Sequence, residues 1–148
     1  MAEETPVVLE SFTSASGSSD LNFEAASTEV RSGFKRVHII LGEKDDPNAP
    51  HVYWSHDPAG VTWDAQSHHT DFVMSYLQGS QKVGDKWYHA GDARIVKAGT
   101  VYGPMETGPE GMTAILVFAQ ANAKPIFADD APDEKESPYF RHAHTNEQ

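Results

Sequence analysis

Two stretches of the chain hold the residue types from which a reactive site could be built. GVTWDAQSHHTDFVMSYLQG runs from Gly60 to Gly79, and GDARIVKAGTVYGPME runs from Gly91 to Glu106. His68 has an unperturbed pKa near 6.5, so it can take or give a proton close to neutrality. Burial would lower that value and keep the ring a neutral base. The phenol of Tyr102 can serve as a general acid or as a donor to developing negative charge. Gln66 and Glu106 are expensive to bury unpaired, so each either orients a ligand or satisfies a neighbour.

A metal reading competes with this one. If the turn after Gln66 is irregular, His68, His69 and Asp71 approach one ion as a two-histidine, one-carboxylate set. Strand alternation opposes it, because adjacent histidines on a strand point to opposite faces. His51, His56 and His89 are isolated and read as strand or turn histidines. His142 and His144 have the spacing of a chelating pair but sit in a polar tail. Trp54, Trp63 and Trp87 read as core or rim aromatics. The chain has no glycine-rich phosphate loop, nucleophile elbow or zinc signature.

The elements that must position these residues read as β throughout the middle of the chain. From Phe34 onward short apolar runs alternate with turn residues, the pattern of an all-β sandwich or barrel. The expected strands are Val37–Leu41, His51–His56, Gly60–Gln66, Phe72–Gln78, Lys86–His89, Ala93–Val96 and Met112–Phe118. METGPEG, from Met105 to Gly111, reads as a turn. Side chains alternate along a strand, so Gln66 and His68 share one face provided the strand continues through them, and Phe72, Met74 and Tyr76 share a face. Tyr102, Pro104 and Glu106 are expected to alternate onto the interior.

The two stretches resemble the paired signature motifs of the cupin superfamily. In the first motif Gly60 and Gly79 fall on the family's glycines, Gln66 and His68 on its two histidines, and Phe72 on its glutamate. In the second, Gly91, Lys97, Gly99, Tyr102 and Glu106 fall on the positions of Gly, Pro, Gly, His and Asn. Spacing and glycines agree, while three of the family's four metal-ligand positions carry Gln66, Phe72 and Tyr102. Glycines report backbone requirements, whereas a phenyl ring at Phe72 cannot bind an ion.

The resemblance implies an all-β double-stranded β-helix, the cupin jelly roll, over residues 34–121. Residues 1–33 are expected to be an N-terminal arm or linker in which Pro6–Phe12 could form an edge strand, and residues 122–148 an acidic tail that Phe127, Tyr139 and Phe140 could dock. It also implies a barrel cavity facing His68 and Tyr102, with Gln66, Phe72, Met74, Tyr76, Glu106 and Trp63 as ligand contacts. Because His68 and Tyr102 both fall on ligand positions, the resemblance implies that they face one volume, as base and acid of a metal-free lyase or isomerase; metal-independent sugar epimerases of the superfamily are similar in pairing a His base with a Tyr acid, although their wider sequence pattern is absent here. Small cupins further imply a homodimer.

Composition bounds the function. The 148 residues suffice for one domain with a sizeable core. Without cysteine, thiol nucleophiles and thiolate metal sites are excluded. The 22 acidic against 11 basic residues give a net charge of -11, which opposes nucleic acid and anionic membrane surfaces. No stretch approaches a membrane span, and the opening residues lack a signal-peptide pattern, so a cytoplasmic protein is expected. The expected ligand is a small, partly apolar molecule, with no cofactor. The competing expectations are a dioxygenase-like cupin holding iron, manganese, nickel or zinc through His68, His69 and Asp71, and a sensor that binds a metabolite without turning it over.

Overall fold

A computed structural model describes residues 5–8, 20–127 and 143–145. In chain order the elements are β1 (Val7–Val8), α1 (Phe23–Ala26), β2 (Thr28–Arg31), β3 (Phe34–Ile40), β4 (His51–Asp57), β5 (Thr62–Trp63) and β6 (Gln66–Ser67). They continue with β7 (Phe72–Val83), β8 (Lys86–His89), β9 (Ala93–Val96), β10 (Met105–Phe118), β11 (Ile126–Phe127) and β12 (Ala143–His144). The architecture is all-β, a curled sheet of the double-stranded β-helix type. No helix among the described residues is long and apolar enough to cross a membrane.

β10 is the spine. Its second half lies between β4 and β7, and its first half pairs with β7 and β5. Its central place between β4 and β7 buries Met112, Ala114 and Phe118.

METGPEG is not a free turn but the first half of β10. Between Thr107 and Met112 β10 advances five residues while β7 advances only two, from Gln81 to Gly79. The surplus is a bulge, which supplies the Gly and Pro that read as a turn. Gly79 faces it with φ +71°, and a Cβ there would overlap the Gly111 carbonyl. The motif glycines Gly60, Gly91 and Gly99 likewise have positive φ.

Other details differ from the sequence expectation. The single strand expected over Gly60–Gln66 is two short ones, β5 and β6, interrupted at Asp64 and Ala65. One turn of helix, α1, precedes β2, capped by the Asn22 side chain accepting from the Ala25 amide. Strand pairing also extends beyond 34–121. β1 lies parallel to β3, β2 forms a hairpin with β3, β11 pairs with β6 and β12 with β5. Leu9–Phe12, Tyr139, Phe140 and His142 lie outside the described residues.

Two buried clusters form the core. One gathers Phe72, Met74, Tyr76, Met112 and Phe118; the other gathers Phe34, Val61, Trp63, Met105 and Phe127. Tyr102 packs against both.

Candidate functional site

Three backbone arrangements bring the polar residues together. Gln66 and Tyr102 exchange both backbone hydrogen bonds in an isolated antiparallel bridge, at 3.0 and 2.9 Å. The Gly99 amide donates to the His68 carbonyl at 2.9 Å, fixing the start of the loop that carries Tyr102. Pairing of β11 with β6, Phe127 opposite Gln66, draws the segment after β10 across His68.

The result is a hydrogen-bonded chain. Gln66 Nε2 donates to Tyr102 Oη at 2.8 Å, Tyr102 Oη lies 2.7 Å from His68 Nε2, and His68 Nδ1 lies 2.8 Å from the Ala123 carbonyl. A carbonyl only accepts, so Nδ1 carries a proton. Burial holds the His68 pKa down to about 4, with the nearby Arg94 charge acting the same way and the Ala123 bond partly opposing. At neutral pH the ring is therefore uncharged and Nε2 is a bare lone pair. Tyr102 must donate its phenolic proton to Nε2 and accept from Gln66, and donors and acceptors fix every orientation in the chain. Gln66 Oε1 is left buried without a hydrogen-bond partner among the described residues.

This chain borders a cavity of about 410 Å³, within the ordinary size range for small-molecule sites. Of the expected contacts, Trp63, Gln66, His68, Met74 and Tyr102 line it. Phe72 and Tyr76 share Met74's face of β7 but lie behind the wall. The Phe72 ring packs on His68 and Tyr102 at 5.0 and 5.7 Å, and Tyr76 is only 1% exposed.

Glu106 requires a correction: it is exposed, as is Pro104, while Met105 and Thr107 point inward. Alternation holds only within a continuous strand. Gly103, with φ +107°, separates the Tyr102 bridge from β10, so the two have independent phases.

The shifted ligand set is also corrected. His68 is buried, whereas His69 and Asp71 are exposed, and Asp71 Oδ1 accepts from the Ala98 amide at 2.7 Å. Nor do the four motif positions fit an ion. Phe72 has no donor atom, both ring nitrogens of His68 are engaged, and the Tyr102 oxygen is tied to two neighbours. Among the described residues no group of three or more His, Cys, Asp or Glu could hold a metal.

Several lining residues went unread in the sequence. Arg94 is 8% exposed, and its Nε donates to Tyr76 Oη at 3.0 Å while its guanidinium lies 4.5 Å from the Tyr102 ring centroid. Tyr76 Oη in turn donates to Gln81 Oε1 at 2.6 Å. Asp57 accepts from Trp63 Nε1 at 2.9 Å, and burial pushes its carboxyl pKa up. Period-two alternation groups Arg94 with Val96 and leaves Ile95 outside, 85% exposed. The sequence offered no means of choosing which of these faces is inner. His144 contacts Asp64 at 3.0 Å.

No protein-family model and no curated protein matches the chain. Solved structures do. A protein with a double-stranded β-helix domain from Klebsiella pneumoniae is 22% identical, with a TM-score of 0.58 over 80% of this chain and 98% of its own. An RmlC-like cupin protein from Ralstonia eutropha is 17% identical, with a TM-score of 0.51 over 62% of this chain. Oxalate decarboxylase from Bacillus subtilis is 13% identical, with a TM-score of 0.56 over 73% of this chain. This chain spans only 59% of the Ralstonia protein and 31% of the decarboxylase. These likenesses establish the cupin fold.

Proposed function

We propose that the cavity binds a small, partly apolar metabolite and that Tyr102 and His68 transfer a proton to or from it without a metal, as in a lyase or isomerase. The observation that carries this reading is the 2.7 Å contact between Tyr102 Oη and His68 Nε2 at the cavity wall. The two groups act in series. Tyr102 Oη is the atom available to a substrate, while Nε2 can receive the phenolic proton as Oη takes one from the substrate. The return transfer restores both. Ala123 holds the ring through Nδ1 in both states, and the aromatic wall of Phe72 and Phe118 keeps water from the imidazole.

A second reading draws on the low basicity of His68 and on the saturation of both its nitrogens. On that reading the chain is a fixed polar rail in a binding cavity, and the protein is a sensor that turns nothing over. A metabolite screen by thermal shift, followed by turnover assays on the hits, separates the two. The first reading requires Tyr102→Phe and His68→Gln each to lower kcat by about 10²- to 10⁴-fold. Turnover that survives both changes, or that needs an added metal, overturns it. Binding with no turnover for any hit establishes the second.

A further inference from the structure

Arg94 is a buried cation in the cavity wall without a counter-ion among the described residues. Its hydrogen bonds are to Tyr76 Oη through Nε, at 3.0 Å, and to Met74 Sδ through Nη2, at 3.5 Å. Nη1 makes no hydrogen bond and no Asp or Glu pairs with the guanidinium among the described residues. The group packs on the rings of Tyr102, Phe72 and Tyr88 at 4.5, 5.7 and 6.0 Å. Such contacts stabilise a cation only partly, and burying a guanidinium without an anion is costly. The cost falls in a protein of net charge -11, which has many carboxylates that could have been placed there.

The remaining donors have a direction. Nε is committed to Tyr76, itself held by Gln81, so the fork is anchored at its base, and Arg94 lines the cavity with Nη1 free of hydrogen bonds among the described residues. Two adjacent N–H groups on a planar, fixed fork match the two oxygens of a carboxylate. Met112, Leu116 and Phe118 on the same lining give the rest of such a molecule an apolar bed. The guanidinium also lies over the ring whose hydroxyl contacts His68. An acid held by Arg94 would thus lie beside the proton-transfer pair.

We infer that the cavity selects small organic monocarboxylates, with Arg94 binding the carboxylate group. The inference rests on the cavity being a ligand site, as proposed above, but not on that site being catalytic.

The probes are benzoate and 4-methylpentanoate against their neutral amides, benzamide and 4-methylpentanamide, titrated calorimetrically into the full chain. At least one carboxylate should bind with a Kd below about 10 mM, and its amide at least tenfold more weakly. Arg94→Gln should weaken carboxylate binding by about 10- to 100-fold, with Arg94→Lys intermediate because it keeps the charge and loses the fork. Carboxylate Kd values all above about 10 mM, or amides within tenfold of their acids, overturn the inference. The acid-amide comparison uses unaltered protein, so misfolding of an Arg94 variant cannot obscure it. Equal carboxylate affinity in folded Arg94→Gln protein also overturns it. Carboxylate binding by the unaltered protein, with no turnover of any bound acid, would fail the catalytic reading while leaving this inference standing.

Discussion

Tyr102 gives its phenolic proton to His68 Nε2 while accepting one from Gln66 Nε2, so one oxygen is both donor and acceptor in a chain that ends on the Ala123 carbonyl. Cutting this chain in the middle exposes its coupling. Tyr102→Phe leaves both a buried amide N–H and a buried ring nitrogen unpaired, which should destabilise the fold by about 1–3 kcal/mol. Gln66→Leu should cost less. The double variant should fall short of the sum by about 0.5 kcal/mol or more, because the two residues share one bond. Urea denaturation of the four proteins measures this, and additive losses would show the contact to be energetically idle.

The pH dependence of stability follows from His68. Its folded pKa, about 4, lies below the unfolded value near 6.5. Between those values the unfolded chain binds a proton that the folded chain does not, so stability should fall as pH drops from 6.5 to 4. Above 6.5 the full stability is present. Each such group contributes a slope of up to about 1.4 kcal/mol per pH unit. His38, likewise lowered to about 4 by burial, acts in the same sense, while the raised Asp57 opposes at the acid end. Replacing His68 with Gln should flatten the slope by about one proton across this window, read as melting temperature against pH.

Gly79→Ala should be among the most damaging single substitutions in the chain. Its φ of +71° disfavours any side chain, and the added methyl meets the Gly111 carbonyl of the bulge. A loss of about 3 kcal/mol or more is expected. Gly84→Ala has a similar φ, +59°, in open space and should lose only about 1 kcal/mol. Equal losses would mean that φ alone matters and that the bulge can yield.

Because the donor set at the motif positions does not suit an ion, elemental analysis of the untagged protein should find iron, manganese, nickel and zinc well below one equivalent. Dialysis against a chelator should leave the melting temperature unchanged. A stoichiometric metal, lost on His68→Gln, would contradict the geometry described for Tyr102 and Ala123.

The fold was legible because its requirements are local. Gly60, Gly79, Gly91 and Gly99 stand where the backbone takes positive φ, and that need is written in residue type and spacing. The neighbourhood of Gln66, His68 and Tyr102 is what the resemblance to the cupin motifs implies. Phase was not legible wherever a strand is interrupted. Glu106 was placed inward by counting from Tyr102 across Gly103, where alternation resets. Arg94 is not legible because ARIV reads equally well on either face, and only the packed sheet decides that Ile95 is outside. Gly and Pro in METGPEG signalled a turn, but a bulge inside a long strand uses the same residues.

The group that orients His68 is a main-chain oxygen, and this changes what kind of genetic lesion can reach it. Exchanging Ala123 for another small residue leaves the acceptor in place, so substitution scanning would pass over the position. Chain length is the sensitive variable. The oxygen is aimed by the span between Phe118, at the end of β10, and Ile126, where β11 takes up its register with β6. Deleting one residue in that span would slip β11 by one position or drag Ala123 away from the ring, and a one-residue slip turns every side chain of a strand to the opposite face. Phe127 would then leave its buried place beside Trp63. Insertions and deletions, more than point changes, are the lesions to which this site is exposed.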